Sequence, residues 1–256
     1  MRDFTLRCYE NLCIEFLANG YEFVPVVDYW SANSSRKRVL MRHDVDRRPH
    51  TAVTMARCEQ KMGIKASYYF RCVGSCYDED VIRDIHRMGH EIGYHYEDLS
   101  RADGDYTKAI ISFMDNLEKL RALSSVRTIC MHGSPLSRWD NRSLWQRHNY
   151  RKLGIVGEPY LDIDFRRMLY LTDTGRRWNS DNTNVRDKVD SAIGHDLRKT
   201  TDIVAAVRRN ALPDQIMVNA HPHRWNDDYL RWFEELVWQN VKNLGKRVLV
   251  KRRKWL

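Results

Sequence analysis

The 256-residue chain is 43% hydrophobic and 30% charged, with a formal net charge of +9; that length suffices for one large α/β core. No apolar run approaches the roughly 18–20 residues that span a bilayer. The first residues carry Asp3 and Glu10 in place of an apolar leader, so a cytoplasmic location is expected.

Phe4, Cys8, Leu12 and Phe16 fall at helical spacing and predict a helix over 3–19 that ends at Gly20. A short extended piece at 23–27 and a polar loop at 31–37 follow, and then a strand-helix rhythm begins. Residues 39–43 read as a buried strand, and Pro49 opens a helix that runs through Met62 and closes at Gly63. Next come a strand at 66–70, a helix at 78–88 stopping at Gly89, and a strand at 90–95. A long amphipathic helix at 106–123 precedes a strand at 127–131. Beyond these, 161–165 and 168–172 read as short strands, 200–210 as a helix, 215–219 as the last strand and 227–244 as a final helix. No linker or repeat interrupts the chain, so 1–256 is expected to be a single domain. The alternation predicts βα units around a parallel sheet or barrel.

The six cysteines (Cys8, Cys13, Cys58, Cys72, Cys76 and Cys130) are scattered through apolar stretches and read as reduced core residues. The basic residues gather at 36–38, 47–48, 166–167, 176–177 and 246–254 and do not line one helical stripe. This favours a solvated basic surface, with no nucleic-acid partner expected. The basic C-terminal tail, which ends in Trp255 and Leu256, is expected to make a weak peripheral contact with anionic lipid headgroups.

In parallel barrels, catalytic residues collect where strands end. Four polar clusters fall there: His43-Asp44-Val45-Asp46, His95-Tyr96-Glu97-Asp98, His132-Gly133-Ser134-Pro135 and His221-Pro222-His223. Asp44 and Asp46 are two apart, so in extended backbone both carboxylates point to one side. One can bind a divalent metal while the other stays free as a general base, a division of labour that metal-activated water requires. His43, pointing the opposite way by the same alternation, reads as structural, and so does His90.

The runs Arg42-His43-Asp44-Val45-Asp46, Met55-Ala56-Arg57-Cys58-Glu59, Gly63 to Phe70 and Met88-Gly89-His90-Glu91-Ile92-Gly93-Tyr94-His95 resemble the polysaccharide deacetylase superfamily. The likeness is greatest to its intracellular branch associated with O-antigen and other surface-polysaccharide biosynthesis. It covers about residues 39–100, with weaker matches around 128–135 and 216–225. The resemblance implies a distorted (β/α) barrel of about seven strands, a zinc-like divalent metal, and hydrolysis of an N-acetyl group on a sugar or sugar-linked intermediate. It implies Asp44 as general base, Asp46 and His95 as metal ligands, and His221 as the acid that protonates the leaving amine.

One position departs from the family pattern. A second metal histidine is expected four residues after His95, where this chain has Leu99. The third ligand then comes from His132 or from Glu97. His132 is preferred because imidazole suits zinc and Gly133 permits close approach, although a hydrogen-bonded loop histidine is the plainer reading of it. Asp173, Arg177, Trp178 and Trp225 combine the carboxylate, guanidinium and indole groups that hold sugars, and are candidate substrate contacts. Arg47, Arg48, Arg177 and Arg224 suggest a basic mouth for an anionic or carrier-linked substrate. The alternatives are another amide or C–N hydrolase on a small molecule, or a non-catalytic glycan-binding barrel that has lost its metal.

Overall fold

A computed structural model describes residues 2–31, 36–134, 136–178, 187, 189–191 and 193–253, with the backbone alone described over 245–253. The side chains of the basic tail, on which the expected lipid contact rests, lie outside the described residues.

Seven strands form one sheet in which every pairing is parallel. They are β1 (Glu22–Phe23), β2 (Arg38–Val45), β3 (Ser67–Phe70), β4 (Glu91–Tyr96), β5 (Ile129–Met131), β6 (Leu169–Thr172) and β7 (Gln215–Ala220). The spatial order is β5-β4-β3-β2-β7-β6, and β1 pairs with the first residues of β2. Among the described residues no pairing joins β5 to β6. The architecture is thus the expected distorted (β/α) barrel with seven strands, left open on one side.

The helices are α1 (Leu6–Ala18), α2 (His50–Lys61), α3 (Glu79–Arg87), α4 (Asp98–Arg101), α5 (Tyr106–Arg121), α6 (Pro159–Asp162), α7 (Thr200–Arg208) and α8 (Tyr229–Arg253). Several starts follow side-chain capping. Asp78 accepts from the Val81 amide at the head of α3, and Asp105 accepts from the Thr107 and Lys108 amides at the head of α5.

Strand side chains alternate between two buried clusters. Val39, Met41, Tyr68, Phe70, Ile129, Met131, Ile216 and Val218 belong to the large cluster that includes the buried faces of α1, α2, α3, α5 and α7. Leu40, Tyr69, Cys130, Tyr170 and Met217, the alternate residues, form a smaller second cluster within the curve of the sheet. Gly93 belongs to this inner set: a Cβ there would lie 2.4 Å from the Tyr69 ring, so β4 can sit beside β3 only with glycine at this position.

Two expectations need correction. Residues 161–165 do not form a strand. Pro159 opens the short helix α6, and Glu158 caps it by accepting from the Leu161 amide. Ile163 and Phe165 still bury their side chains in the inner cluster, which is the apolar signal that mimicked a strand. The last helix does not end at Leu244 but continues to Arg253. Gly245 costs a helix only about 1 kcal/mol relative to Ala and does not stop it unaided.

Candidate active site

The alternation that sorts the core also builds the site. Arg42 and Asp44 continue the inner-face series of Leu40 along β2. His95 is the inner-face residue between Tyr94 and Tyr96, His132 follows Cys130 at the end of β5, and Asn219 and His221 follow Met217 along β7. All rise from the strands' C-terminal ends above the inner cluster.

Three donor atoms gather there. Those of Asp46, His95 and His132 all lie within 4.8 Å of one another. His95 Nε2 is 3.4 Å from Asp46 Oδ1 and His132 Nε2 is 3.7 Å from the same oxygen. That oxygen is buried and has no hydrogen-bond partner. Both imidazoles are anchored from behind. His95 Nδ1 donates to the Cys130 carbonyl at 2.9 Å, and His132 Nδ1 donates to Glu97 Oε2 at 3.0 Å. Each anchor fixes the tautomer that leaves an Nε2 lone pair turned to Asp46, which is how protein scaffolds present metal-binding histidines. An orphaned carboxylate oxygen facing two oriented imidazole nitrogens fits a zinc-like ion.

The field at this point favours a cation. Burial works to raise the pKa of Asp46, but His95, His132 and His221 outweigh it and hold the carboxyl well below its usual range. Burial likewise disfavours charge on His95, yet Asp44 and Asp46 raise its pKa. Leu99, where the family pattern has a histidine, is fully buried in the hydrophobic core. Glu97 is not among the gathered donors. Arg71 grips both of its oxygens at 2.7 and 2.9 Å, and the remaining bond supports His132. Burial raises its pKa, but the His132 hydrogen bond and Arg71 together bring it down to about 2. A second group of donors, Asp44, His95 and Cys130, is poorer. Its carboxylate is taken by Arg42, and burial pushes the Cys130 thiol far above its ordinary pKa.

Asp44 lies beside this cluster, its Oδ2 3.9 Å from His95 Nε2. Arg42 holds it in a fork, Nε to Oδ1 at 2.9 Å and Nη2 to Oδ2 at 2.6 Å, and Asn219 donates to Oδ2 at 3.1 Å. Burial pushes the carboxyl up, but the Arg42 charge, with His95 and His221, keeps it ionised well below the usual range. Arg42 is itself fixed by Tyr160, which with Tyr170, Thr172 and Thr174 surrounds the carboxylate of Asp187.

Across from Asp44, His221 Nε2 is 3.7 Å from Asp46 Oδ2. Its Nδ1 donates to Asp173 Oδ1 at 2.6 Å. Asp173 also accepts from the His221 amide, from Arg224 at 2.6 Å and from Trp225 Nε1 at 2.8 Å. Burial opposes its charge, and Arg224 and His221 override that and keep the carboxyl low.

The structure therefore brings Asp44, Asp46, His95, His132 and His221 together and corrects the expected substrate contacts. Asp173 is fully buried with both oxygens engaged, so it orients a histidine and reaches no sugar. Trp178 and Trp225 pack with Phe4 in the core at 2% and 1% exposure, with no open ring face. Arg177 is exposed after the Asp173 turn. Of the arginines expected at a basic mouth, Arg47 pairs with Glu235, Arg48 with Glu234 and Arg224 with Asp173. Sequence reasoning overlooked Arg42 and Asn219. The two-residue alternation that joined Asp44 to Asp46 also places Arg42 on their side.

No family model matches the chain, and no curated protein does. Among solved structures it is similar to a CE4 family pseudoenzyme from Bacillus anthracis, at 12% identity and a TM-score of 0.45, covering 84% of this chain and 63% of that one. It is also similar to a family 4 carbohydrate esterase from Bacillus anthracis, at 10% identity and a TM-score of 0.42, covering 91% of this chain and 85% of that one. A peptidoglycan N-acetylglucosamine deacetylase gives 11% identity and a TM-score of 0.44, covering 91% of this chain and 90% of that one. The chain thus spans less than two thirds of the pseudoenzyme's length. At such identities and scores, these likenesses say nothing of chemistry.

Proposed function

We propose that the chain is a metal-dependent hydrolase that removes an N-acetyl group from a sugar. The observation that carries this reading is the buried, unpartnered Asp46 Oδ1 facing the free Nε2 atoms of His95 and His132, with an ionised Asp44 and an anchored His221 beside it. Asp46, His95 and His132 would hold the ion. Bound there, a zinc-like ion supplies Lewis acidity towards the acetyl carbonyl and lowers the pKa of a water to roughly 7.

The chain's own residues supply proton transfer. Asp44, kept ionised by Arg42 and steadied by Asn219, takes the proton of the attacking water. His221, its Nδ1 held by Asp173, offers Nε2 to the departing nitrogen and delivers the proton that lets the amine leave. Asp46 and His132 are each about a fifth exposed, whereas Asp44 and His95 are buried. Substrate therefore approaches over the Asp46–His132 side, and the base stays shielded from bulk water.

The finer reading, a sugar-linked intermediate of cytoplasmic surface-polysaccharide (O-antigen) assembly, is supported by the resemblance of the Arg42–Asp46 and Met88–His95 runs. The test is acetate release from a panel of N-acetylated sugars and sugar nucleotides, with zinc content measured in parallel. Asp44→Asn is expected to abolish acetate release while zinc is retained. Activity that survives this substitution would remove Asp44 as the base and sink the proposed mechanism.

A further inference from the structure

Helix α8 presents its polar face inward and its apolar face outward. Towards the barrel it buries Glu235, Gln239 and Asn243. Glu235 pairs with Arg47 at 2.7 Å, Gln239 donates to Asn243 at 2.8 Å, and Asn243 donates to the Gly175 carbonyl at 3.0 Å. On the opposite side Leu230, Phe233, Val237, Trp238, Val241 and Leu244 are between 46% and 76% exposed. Their three- and four-residue spacing sets most of them on one stripe. A surface helix that covers a core has the reverse arrangement. A continuous apolar stripe of this size on a protein surface marks a contact face. Part of it forms a groove lined by Phe233, Val237, Trp238 and Val241, with Arg47 and Glu234 at its margin.

Charge selects the occupant. Residues 229–256 contain eight Lys and Arg against two Glu, and both glutamates are paired, with Arg47 and Arg48. Six of the eight, Lys246, Arg247, Lys251, Arg252, Arg253 and Lys254, fall between 246 and 254, where there is no acid. A second copy of the chain would bring the same cations to the stripe, whereas anionic headgroups neutralise them. Among the described residues no helix is long and apolar enough to cross a membrane. A helix of this length with an apolar stripe, an exposed Trp and a cationic end has the properties of one that lies in the plane of a bilayer surface.

We infer that α8 is an in-plane docking helix that seats the chain on anionic lipid. The inward face of α8 adjoins the candidate site: the buried Glu235 pairs with Arg47, which follows Asp46 directly in sequence, and lies 3.7 Å from His223 Nε2, two residues after His221. The inference stands on α8 alone and does not depend on the proposed chemistry.

The test is flotation of the full chain with vesicles of phosphatidylcholine alone and of phosphatidylcholine mixed with phosphatidylglycerol. A triple variant, Phe233→Ser with Val237→Ser and Trp238→Ser, changes only exposed side chains, and its thermal melt is compared with that of the unaltered chain to confirm folding. The unaltered chain is expected to float with the anionic vesicles, to bind neutral ones far less, and to lose partitioning about tenfold or more in the triple variant. Three outcomes would overturn the inference. They are absence of the chain from anionic vesicles, undiminished binding by the folded triple variant, and a stable dimer in light scattering that the triple variant converts to monomer, which would make a second copy the occupant.

Discussion

Arg42 and Asp44 illustrate how much one strand position decides. The guanidinium is almost wholly buried, and its fork to Asp44 offsets the cost of placing that carboxylate out of water. Removing one partner leaves the other charge uncompensated. Arg42→Met is expected to lower stability by about 3–5 kcal/mol in urea denaturation and to raise the pKa of Asp44, seen as a shifted acid limb in the pH profile of activity. An unchanged midpoint and profile would remove Arg42 from its positioning role. Asp173 makes the complementary case at His221. Asp173→Asn keeps the shape but loses the charge that holds the imidazole, and should reduce turnover by roughly 10²–10⁴-fold with zinc content unchanged. Sequence alternation made Asp44 and Asp46 legible as a pair, and the strand-end clustering with the family resemblance added His95. It could not reveal that Asp173 faces inward to a histidine 48 positions away, because that contact depends on how β6 lies beside β7.

At the scale of elements, the strands and most helices were readable because their apolar periods and end signals agree locally. The miss at 161–165 arose where Ile163 and Phe165, in the segment after a short helix, bury their side chains in the inner cluster, so the apolar pattern resembled that of a strand. Glu158, which caps α6, also accepts from the Met131 amide at 3.0 Å and so ties α6 to the end of β5. Burial pushes its carboxyl up to about 7, against the amides that hold it and the charge of Arg42. A carboxyl raised in the fold contributes fully below its unfolded value of about 4.3. Its contribution is then lost as pH rises towards 7. The loss amounts to roughly 3–4 kcal/mol when complete. Chemical denaturation at several pH values should show stability falling across this window relative to Glu158→Gln, whose own profile lacks this component. Parallel profiles for the two proteins would contradict the assignment.

At the scale of the molecule, an open barrel of parallel strands lets five side chains from four separate segments meet above one apolar layer. Asp44 and Asp46 come from the end of β2, His95 from β4, His132 from just beyond β5 and His221 from just beyond β7. The departure at Leu99 becomes intelligible in this frame. The short helix α4 turns that position into the hydrophobic core, and the neighbouring strand end offers His132 in its place. The sequence left His132 and Glu97 as alternatives because spacing alone does not say which carboxylate will be claimed by an arginine. In the fold Arg71 claims Glu97, and Glu97 in turn steadies His132.

The most direct measurement is zinc stoichiometry and affinity for the unaltered chain, His132→Ala and Glu97→Gln, with acetate release followed on the same samples. One zinc per chain is expected for the unaltered protein, none for His132→Ala, and retained zinc with affinity weakened about 10–100-fold for Glu97→Gln. Full zinc binding by His132→Ala, or none by the unaltered chain, would contradict the Asp46–His95–His132 centre and the hydrolase built on it.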